Sequence, residues 1–534
     1  MWSFCGAKKR CLNSASPPPS VPMVRWNTTA ALRQRSCPGP SSLPPGHSCP
    51  GRRRSSAHRK RGGTMSVITV AEELKGAAQA FYDAGKPIYY VGGAVRNTLM
   101  GLPKSDIDMT GTAMPEEAVA IARSAGAKAS VRDTVMGTVD IHCGGIHVEY
   151  TPFRTESYGE GGEHRPQEVI FTQSMEEDAL RRDFTVNAIY ADALTGEVHD
   201  PMGGEGHLQK RVLYSCRPPM DTLKDDGVRI LRMVRFACQL HFAIDPQLYR
   251  AAKARAGNLQ DIAMERKREE CYKILLSDGA YPELTAGIHP VVRGLNMLWD
   301  LGILNHLFPE LMEGESMEQP GSYHRYTVLR HNMMVCASVP CKLHLRLAGL
   351  LHDVAKPRCY HLTHGKMHGH DRMGVPMAER MLKRLKADNR TVEAVCALIG
   401  EHMFDLDGRA KESTCRKRFS KWGFGFTEDL IELRKGDIIG SGMGGSLATA
   451  EKWARILHRM QEEGAVDSMA GLAITGKEIM DATGLPPGPI IGRIKEQLYA
   501  KVAVQPRLNR KEVLVQEAKH LYKSIANMEN NGLF

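Results

Sequence analysis

The 534-residue chain has no run of about 18 or more apolar residues, which argues against a membrane-spanning helix. It also has no Cys-x-x-Cys pair. Its thirteen cysteines are scattered, four of them in the first 64 residues, as expected of buried thiols in a reduced compartment and not of a disulfide framework. Residues 1–64 contain no acid at all. They hold twelve Lys and Arg, more than the formal +11 of the whole chain, so the remainder carries no net positive charge and must bind any polyanion through local patches. This leader also lacks apolar periodicity and is rich in Pro, Ser, Gly and Arg, so it is expected to be disordered. It reads as an organellar transit peptide, a basic nucleic-acid tail around Arg52 to Arg61, or an over-extended start. The last is preferred, because Met65 opens a stretch (MSVITVAEELKGAAQAFYDAG) that leads directly into an amphipathic helix. The length suits about three or four domains.

What the chain does have is concentrated between Gly92 and Thr110 (GGAVRNTLMGLPKSDIDMT). The preceding run, PIYYV from Pro87 to Val91, is short, β-branched and aromatic, and reads as a buried strand. Gly92 and Gly93 then open a helix that runs to about Met100. Glycines let the backbone approach an anion, a helix N-terminus offers free N–H groups, and Arg96 adds a forked cation one turn along. After a Gly-Leu-Pro turn, Asp106 and Asp108 lie on a second strand (DIDMTG). Residues two apart share a strand face, so both carboxylates can hold hard cations while Ile107 turns to the core. Two Mg²⁺ ions roughly 3.5–4 Å apart would clamp the attacking and leaving oxygens of a phosphoryl displacement.

The run GG-x-x-R-(x)9-D-x-D resembles the first motif of the class II tRNA nucleotidyltransferase and bacterial poly(A) polymerase family. The resemblance implies a polymerase-β-like head, with Gly93 and Arg96 among its nucleotide-binding residues and Asp106 and Asp108 as catalytic metal ligands. One position departs: Asn97 stands where the family commonly has Asp. Further along, Met114 to Ala125 reads as a helix and Ala127 to Val139 as irregular. HVEYTPFR reads as a strand that offers Glu149 as a third carboxylate. FRTESYGEGGEHRPQEVIF resembles the family's mobile loop, with Gly159, Gly161 and Gly162 supplying flexibility. EDALRRDFTVNAIYAD resembles the RRDFTxNA motif and is expected to set Arg181-Arg182-Asp183 at the start of a helix. The resemblance gives Arg182 to the triphosphate; Asp183 and Asn187, short and polar, are expected to organise sugar and backbone contacts. Asp200-Pro201 and Gly203-Gly204 match a DP-x-GG turn.

TLKDDGVRILRMVRFACQL reads as one helix, with Asp226, Arg229, Arg232 and Arg235 at i, i+3 steps. It resembles the family's EDxxR motif, with Asp225 in place of the usual Glu. Cytosine and adenine both present an exocyclic amine beside a ring-nitrogen acceptor, whereas uracil and guanine present a carbonyl beside a ring N–H. A carboxylate (Asp226) that accepts from the amine and a guanidinium (Arg229) that donates to the ring nitrogen therefore suit C and A and reject U and G. Arg232 and Arg235 then lie towards the phosphates. DIAMERKREECYKILLS resembles the ER-x-x-E neck motif, which would brace the templating helix.

Histidines cluster later. His331, His352, Asp353 and Asp437 form an H…HD…D series that resembles the HD phosphohydrolase superfamily, with Lys356 completing HDxxK and His370 and His402 as additional ligand candidates. His/Asp sets without Cys suit Mn, Fe, Ni, Zn or Mg. The tail, with ITGKEIMDATGLPPGPIIGRIKEQL, resembles the family's tRNA-holding tail: a helix, a Pro/Gly turn and another helix carrying Arg493 and Lys495.

The expected architecture is therefore α+β: a polymerase-β-like nucleotidyltransferase head at 65–217, then all-α neck (218–311), HD (315–442) and tail (447–534) regions behind the 1–64 leader. The expected function is template-independent addition of CMP and AMP to tRNA 3′ ends, with Mg²⁺ at the head and a second divalent metal (Mn, Ni, Co or Mg) in an HD phosphohydrolase centre. Partners are tRNA, ATP and CTP, with no membrane. The location is cytoplasmic, or organellar if the leader is a transit peptide. Alternatives are a poly(A) polymerase, a partial CC- or A-adding enzyme, an HD phosphohydrolase with an inert head, or a non-catalytic RNA-binding protein.

Overall fold

The computed structural model describes residues 66–103, 106–159, 166–319 and 324–530. The basic leader, and Gly161 and Gly162 of the expected loop, lie outside the described residues. The architecture is α+β, a mixed sheet followed by helices.

The sheet region contains β1 (Ile88–Val91), β2 (Ile107–Gly111), β3 (Lys128–Asp133), β4 (Thr138–Cys143), β5 (Ile146–Pro152), β6 (Arg154–Ser157), β7 (Glu168–Phe171), β8 (Tyr190–Asp192) and β9 (Val198–His199). Seven of these form one sheet in the order β3-β4-β5-β2-β1-β8-β9. β1 pairs antiparallel with β2 and β8, and its apolar run is accordingly buried between them. β2 pairs parallel with β5, the register setting Asp108 opposite Glu149. Helix α1 (Glu72–Asp83) covers the sheet with Leu74, Ala77, Ala78 and Phe81, an i, i+3, i+4, i+7 stripe, and Phe81 meets the Tyr150 ring at 5.9 Å. Helices α2 (Gly93–Leu99) and α3 (Pro115–Ser124) fall where the sequence places them.

Three local expectations are corrected. The stretch 127–139, expected to be irregular, holds β3 and the start of β4. β3 is an edge strand that buries only Ala129 fully, and its charged, exposed residues mask the alternation while protecting the edge. The RRDFT run follows a helix instead of starting one: α4 (Met175–Arg181) ends there, Arg182 is extended, and Thr185–Asn187 makes a single 3₁₀ turn. Asp183 Oδ1 accepts from the Phe184 N–H at 2.7 Å and from Asn187 Nδ2 at 3.1 Å, so a side chain takes the donor that a continuing helix would use. After α5 (Gly204–Lys210), whose N–H groups at Gly204 and Glu205 donate to Asp200, the templating segment is two helices, α6 (Pro219–Asp225) and α7 (Val228–Gln239). Asp226 between them is extended (φ −143°, ψ 108°) and caps Val228 N at 2.9 Å. Gly227 passes against the Asn258 carbonyl, which would sit 3.0 Å from a Cβ.

Helices α8 (Pro246–Arg255) and α9 (Met264–Leu275) continue the neck, with α9 packed on α7. Beyond it the helix Val328–Ser338 packs on Phe424–Gly440. The approach depends on small residues: a Cβ at Gly436 would meet Val339 Cγ1 at 2.5 Å, and one at Gly440 would meet Val335 N at 2.7 Å. That proximity sets His331 against Asp437. The tail has its own core, including Leu472, Ile479, Ile494, Leu498, Val502 and Leu514, and its helices Gly476–Thr483 and Pro489–Val504 flank the expected Pro/Gly turn. Among the described residues the cysteines are all unpaired, and no helix is long and apolar enough to cross a membrane.

Candidate active sites

The first site forms where β1 turns into α2. Gly92 has φ 72°, in the left-handed region that favours glycine, and a Cβ there would stand 3.6 Å from Asp108 Oδ2. The phosphate cradle expected from Gly92 and Gly93 thus adjoins the second carboxylate of the Asp-x-Asp pair. Asp106 lies just before β2 and Asp108 within it, both exposed, while Ile107 packs on the core. Glu149 joins them across the β2–β5 register and is held by Arg132 at 2.6 Å. Surrounding protein strips water from Asp108 although it keeps solvent access, and together with the charges of Glu149 and Asp106 this pushes its pKa up to about 6. Asp108 and Glu149 face each other in register with Asp106 two residues before, oxygen donors of the kind that divalent cations of the Mg²⁺ type take, but the three do not gather as closely as the donors of the second site below.

Cations surround these acids. Arg182 and Arg232 both act electrostatically on Asp108. Arg182 is fixed by Asp178 Oδ2 at 2.9 Å and by the Tyr190 hydroxyl at 3.1 Å. Arg232 pairs with Asp183 at 2.7 Å, and against the burial that opposes it, Arg232 and Asn187 hold the Asp183 pKa down to about 2. Arg96 is buried: its guanidinium donates to Asn97 Oδ1 at 2.8 and 3.1 Å and to Asn187 Oδ1 at 2.6 Å. Asn97 also donates to the Tyr281 hydroxyl at 3.0 Å, so this departure from the family pattern ties the sheet region to the neck.

Asp226 and Arg229 sit at the N-terminal end of α7. Arg229 is locked by the carbonyls of Thr222 (3.0 Å) and Arg181 (2.7 Å), under the Tyr158 ring at 5.9 Å. Burial pushes the Asp226 pKa up to about 6, partly offset by its bond from Val228 N and by Arg229. Arg235 is engaged by Glu270 at 2.6 Å and lies 4.0 Å from the Phe236 ring centre, while Arg266 approaches Asp226 at 3.7 Å. Helix α9 therefore reaches both ends of the Asp226–Arg235 stripe, as expected of a brace.

The second site draws on five helices. His331 lies in Val328–Ser338, His352 and Asp353 in the turn after Leu343–Leu351, His370 at the start of His370–Arg384, His402 at the end of Asn389–Glu401 and Asp437 in Phe424–Gly440. All four ring systems and Asp353 are buried. His331 Nε2 is 3.1 Å from Asp437 and 3.5 Å from Asp353, and His352 Nε2 is 3.2 Å from Asp353. His331 Nε2 and His352 Nε2 are nonetheless without a hydrogen-bond partner, the signature of donors arranged for a metal. Burial and the neighbouring His352 hold the His402 pKa down to about 4, whereas against burial Asp353 and Asp437 push that of His352 up to about 10. Asp353 and Asp437 stay ionised because, against burial, the histidines around them favour the charged form. A cavity opens onto this centre, lined also by Lys356, Arg434, Ser441 and Thr449.

Several contributing residues were not singled out from sequence. Asp178 lies one helical turn before Arg182, a visible i, i+4 signal. Tyr158 and Tyr281 gave no local signal, since each acts on a residue far along the chain. Arg434, 3.1 Å from Asp437, lies one turn before it on the same helix, a spacing visible in the sequence.

Residues 88–214 match the model of the poly A polymerase head domain, 241–286 that of the probable RNA and SrmB-binding site of polymerase A, and 322–436 that of the HD domain. The fold and the matched domains are those of a nucleotidyltransferase that carries an HD domain, and both domain types imply use of divalent metal. The chain is 31% identical over 431 residues to the A-adding tRNA nucleotidyltransferase of Deinococcus radiodurans, covering 76% of this chain and 89% of that one. It is 27% identical over 442 residues to the CCA-adding enzyme of Geobacillus stearothermophilus, covering 83% and 95%. Its fold is similar to that of the Bacillus stearothermophilus CCA-adding enzyme solved in complex with CTP, with a TM-score of 0.60 at 22% identity over 85% and 98% of the two chains. The chain belongs to the tRNA nucleotidyltransferase family.

Proposed function

We propose that the protein adds CMP and AMP to the 3′ end of tRNA without a nucleic-acid template, taking them from CTP and ATP. The observation that carries this reading is the register pair Asp108–Glu149 beside the Gly92 turn, within electrostatic reach of Arg182 and Arg232. Asp106, Asp108 and Glu149 would hold Mg²⁺, which when bound supplies the positive charge that stabilises the attacking 3′-oxygen and the departing pyrophosphate. Gly93, Arg96, Arg182 and Arg232 orient and neutralise the triphosphate, with Asp183 fixing Arg232 in place. Asp226 accepts from the amine of C or A and Arg229 donates to the ring nitrogen, both locked by the contacts at the head of α7. Arg235, held by Glu270, keeps α7 in register with α9. The tail holds the tRNA body through phosphate contacts.

The HD region is proposed to hydrolyse a phosphoester, for example a 2′,3′-cyclic phosphate, with a divalent metal (Mn, Ni, Co or Mg) on the His331, His352, Asp353, Asp437 set. Cytoplasmic localisation is what the bacterial relatives support. A second reading, addition of the terminal A alone, is favoured by the 31% likeness to an A-adding enzyme over most of its length. The test is incubation of the purified protein with tRNAs ending at the discriminator base, at C and at CC, each with single nucleotides. CMP incorporation on the first two and AMP on the third support CCA addition. AMP on the CC end with no CMP on any end supports the A-adding reading. No incorporation on any tRNA overturns both.

A further inference from the structure

Resting on the nucleotidyltransferase reading above, we infer that Phe236 is a positioning residue of the nucleotide site, its ring gathering cations from the sheet region and from helix α7 into one cluster that receives the triphosphate. Helix α7 carries Arg232 and Phe236 one turn apart, with Arg235 next to Phe236 in the chain. The guanidinium carbons of Arg235, Arg96 and Arg232 stand 4.0, 5.0 and 5.4 Å from the ring centre, all within the reach of a cation–π contact. Arg96 comes from α2, so the helix that follows the Gly92 turn and the helix that follows Asp226 share one aromatic ring. That ring is buried, and it meets the Phe184 ring edge to face at 6.0 Å. Phe184 in turn follows Asp183, the carboxylate that holds Arg232.

Any apolar side chain at position 236 would fill the core; only an aromatic one also attracts cations. Three guanidiniums around one point repel one another, and carboxylates compensate two of them: Asp183 pairs with Arg232 at 2.7 Å and Glu270 with Arg235 at 2.6 Å. Arg96 is the third. It is buried, forms no ion pair with a carboxylate among the described residues, and donates to the amide oxygens of Asn97 and Asn187. The negative face of an aromatic ring attracts a cation most strongly where both are out of water, so Phe236 supplies what the third carboxylate would. Three cations against two carboxylates leave one positive charge over, which suits a triphosphate. Arg232 keeps partial solvent access and acts on Asp108, so a shift of the cluster around the ring moves the charge that faces the incoming nucleotide.

The test replaces Phe236 in the full chain by phenylalanines bearing one, two and three ring fluorines, which draw negative charge off the ring face and hardly change its shape. ATP is titrated against tRNA ending at CC, and ATP binding is measured separately by equilibrium dialysis with Mg²⁺. The expected result is a stepwise rise of KM and Kd for ATP, reaching about tenfold at three fluorines, with kcat held within about twofold. Phe236→Leu, which keeps the apolar bulk and loses the ring, should weaken ATP binding at least as far. A series in which KM and Kd stay flat, or in which kcat falls while KM does not move, overturns the positioning role and leaves the nucleotidyltransferase reading standing. An unfluorinated chain that adds no nucleotide to any tRNA end overturns both.

Discussion

The two centres on this chain use acids in opposite ways. Asp108 on β2 and Asp106 just before it stand exposed, with Glu149 beside them, where loss of water around Asp108 and then the like charges raise its pKa to about 6. Asp353 and Asp437 sit among buried rings that keep them ionised. A hard, solvent-open oxygen site suits an ion that arrives with a nucleotide and exchanges; a buried nitrogen-rich site suits one that stays. On the proposed reading each ion then has its place in the chemistry: with the substrate at the head, with the protein at the HD centre.

Asp106→Ala and Asp108→Ala should produce the largest change, lowering nucleotide addition by about three orders of magnitude or more, as the loss of several kcal/mol of charge stabilisation requires. Single-turnover extension of tRNA checks this. Transfer undiminished in both variants would break the comparison at its first member.

Next in size is base choice. Asp226→Ala or Arg229→Ala should lower the preference for CTP and ATP over UTP and GTP by about 10²-fold, because the partners that penalise the wrong edges are gone. Paired kcat/KM values decide it. A uniformly slower enzyme with unchanged ratios would move these residues from base recognition to support.

The i, i+3 spacing of this stripe was legible, but its geometry was not. The sequence reads as one helix through Asp226, whereas that residue is extended and its carboxylate caps Val228 N, with the Asn258 carbonyl close against Gly227. The β1–turn–β2 unit was legible because its glycines, cation and acids act within nineteen residues. β3 was missed because an edge strand of small and charged residues draws its order from β4. The HD histidines were visible as candidates, yet which oxygen of Asp353 each one faces is fixed only by the packing of five helices.

A smaller effect is pH-dependent. Asp226 titrates near 6, so as pH falls through that value the carboxylate gains a proton and no longer presents a pure acceptor to the amine. From about pH 7.5 to about pH 5 the preference for CTP over UTP should shrink roughly tenfold, following the ionised fraction. Asp226→Ala should show a flat preference over this range. A wild-type ratio that does not move would contradict the assignment.

The smallest effect concerns stability. Asp108 has a folded pKa raised above its ordinary value, so without metal the folded state binds its proton more tightly and gains stability as pH falls from about 6 towards about 4. Asp108→Asn should therefore raise Tm slightly at neutral pH without Mg²⁺ and leave it unchanged at pH about 4, as thermal melts would report. A lowered Tm at neutral pH would mean that the acid serves folding as well as metal.

The most direct measurement assays both activities on the same preparations: addition of nucleotides to tRNA ends, and hydrolysis of a 2′,3′-cyclic phosphate under Mg²⁺, Mn²⁺, Co²⁺ and Ni²⁺. The expected result is a double dissociation, with Asp106→Ala/Asp108→Ala losing addition alone and His352→Ala/Asp353→Ala losing hydrolysis alone. Loss of both activities in either double variant, or hydrolysis indifferent to His352 and Asp353, would contradict two independent metal centres on one chain.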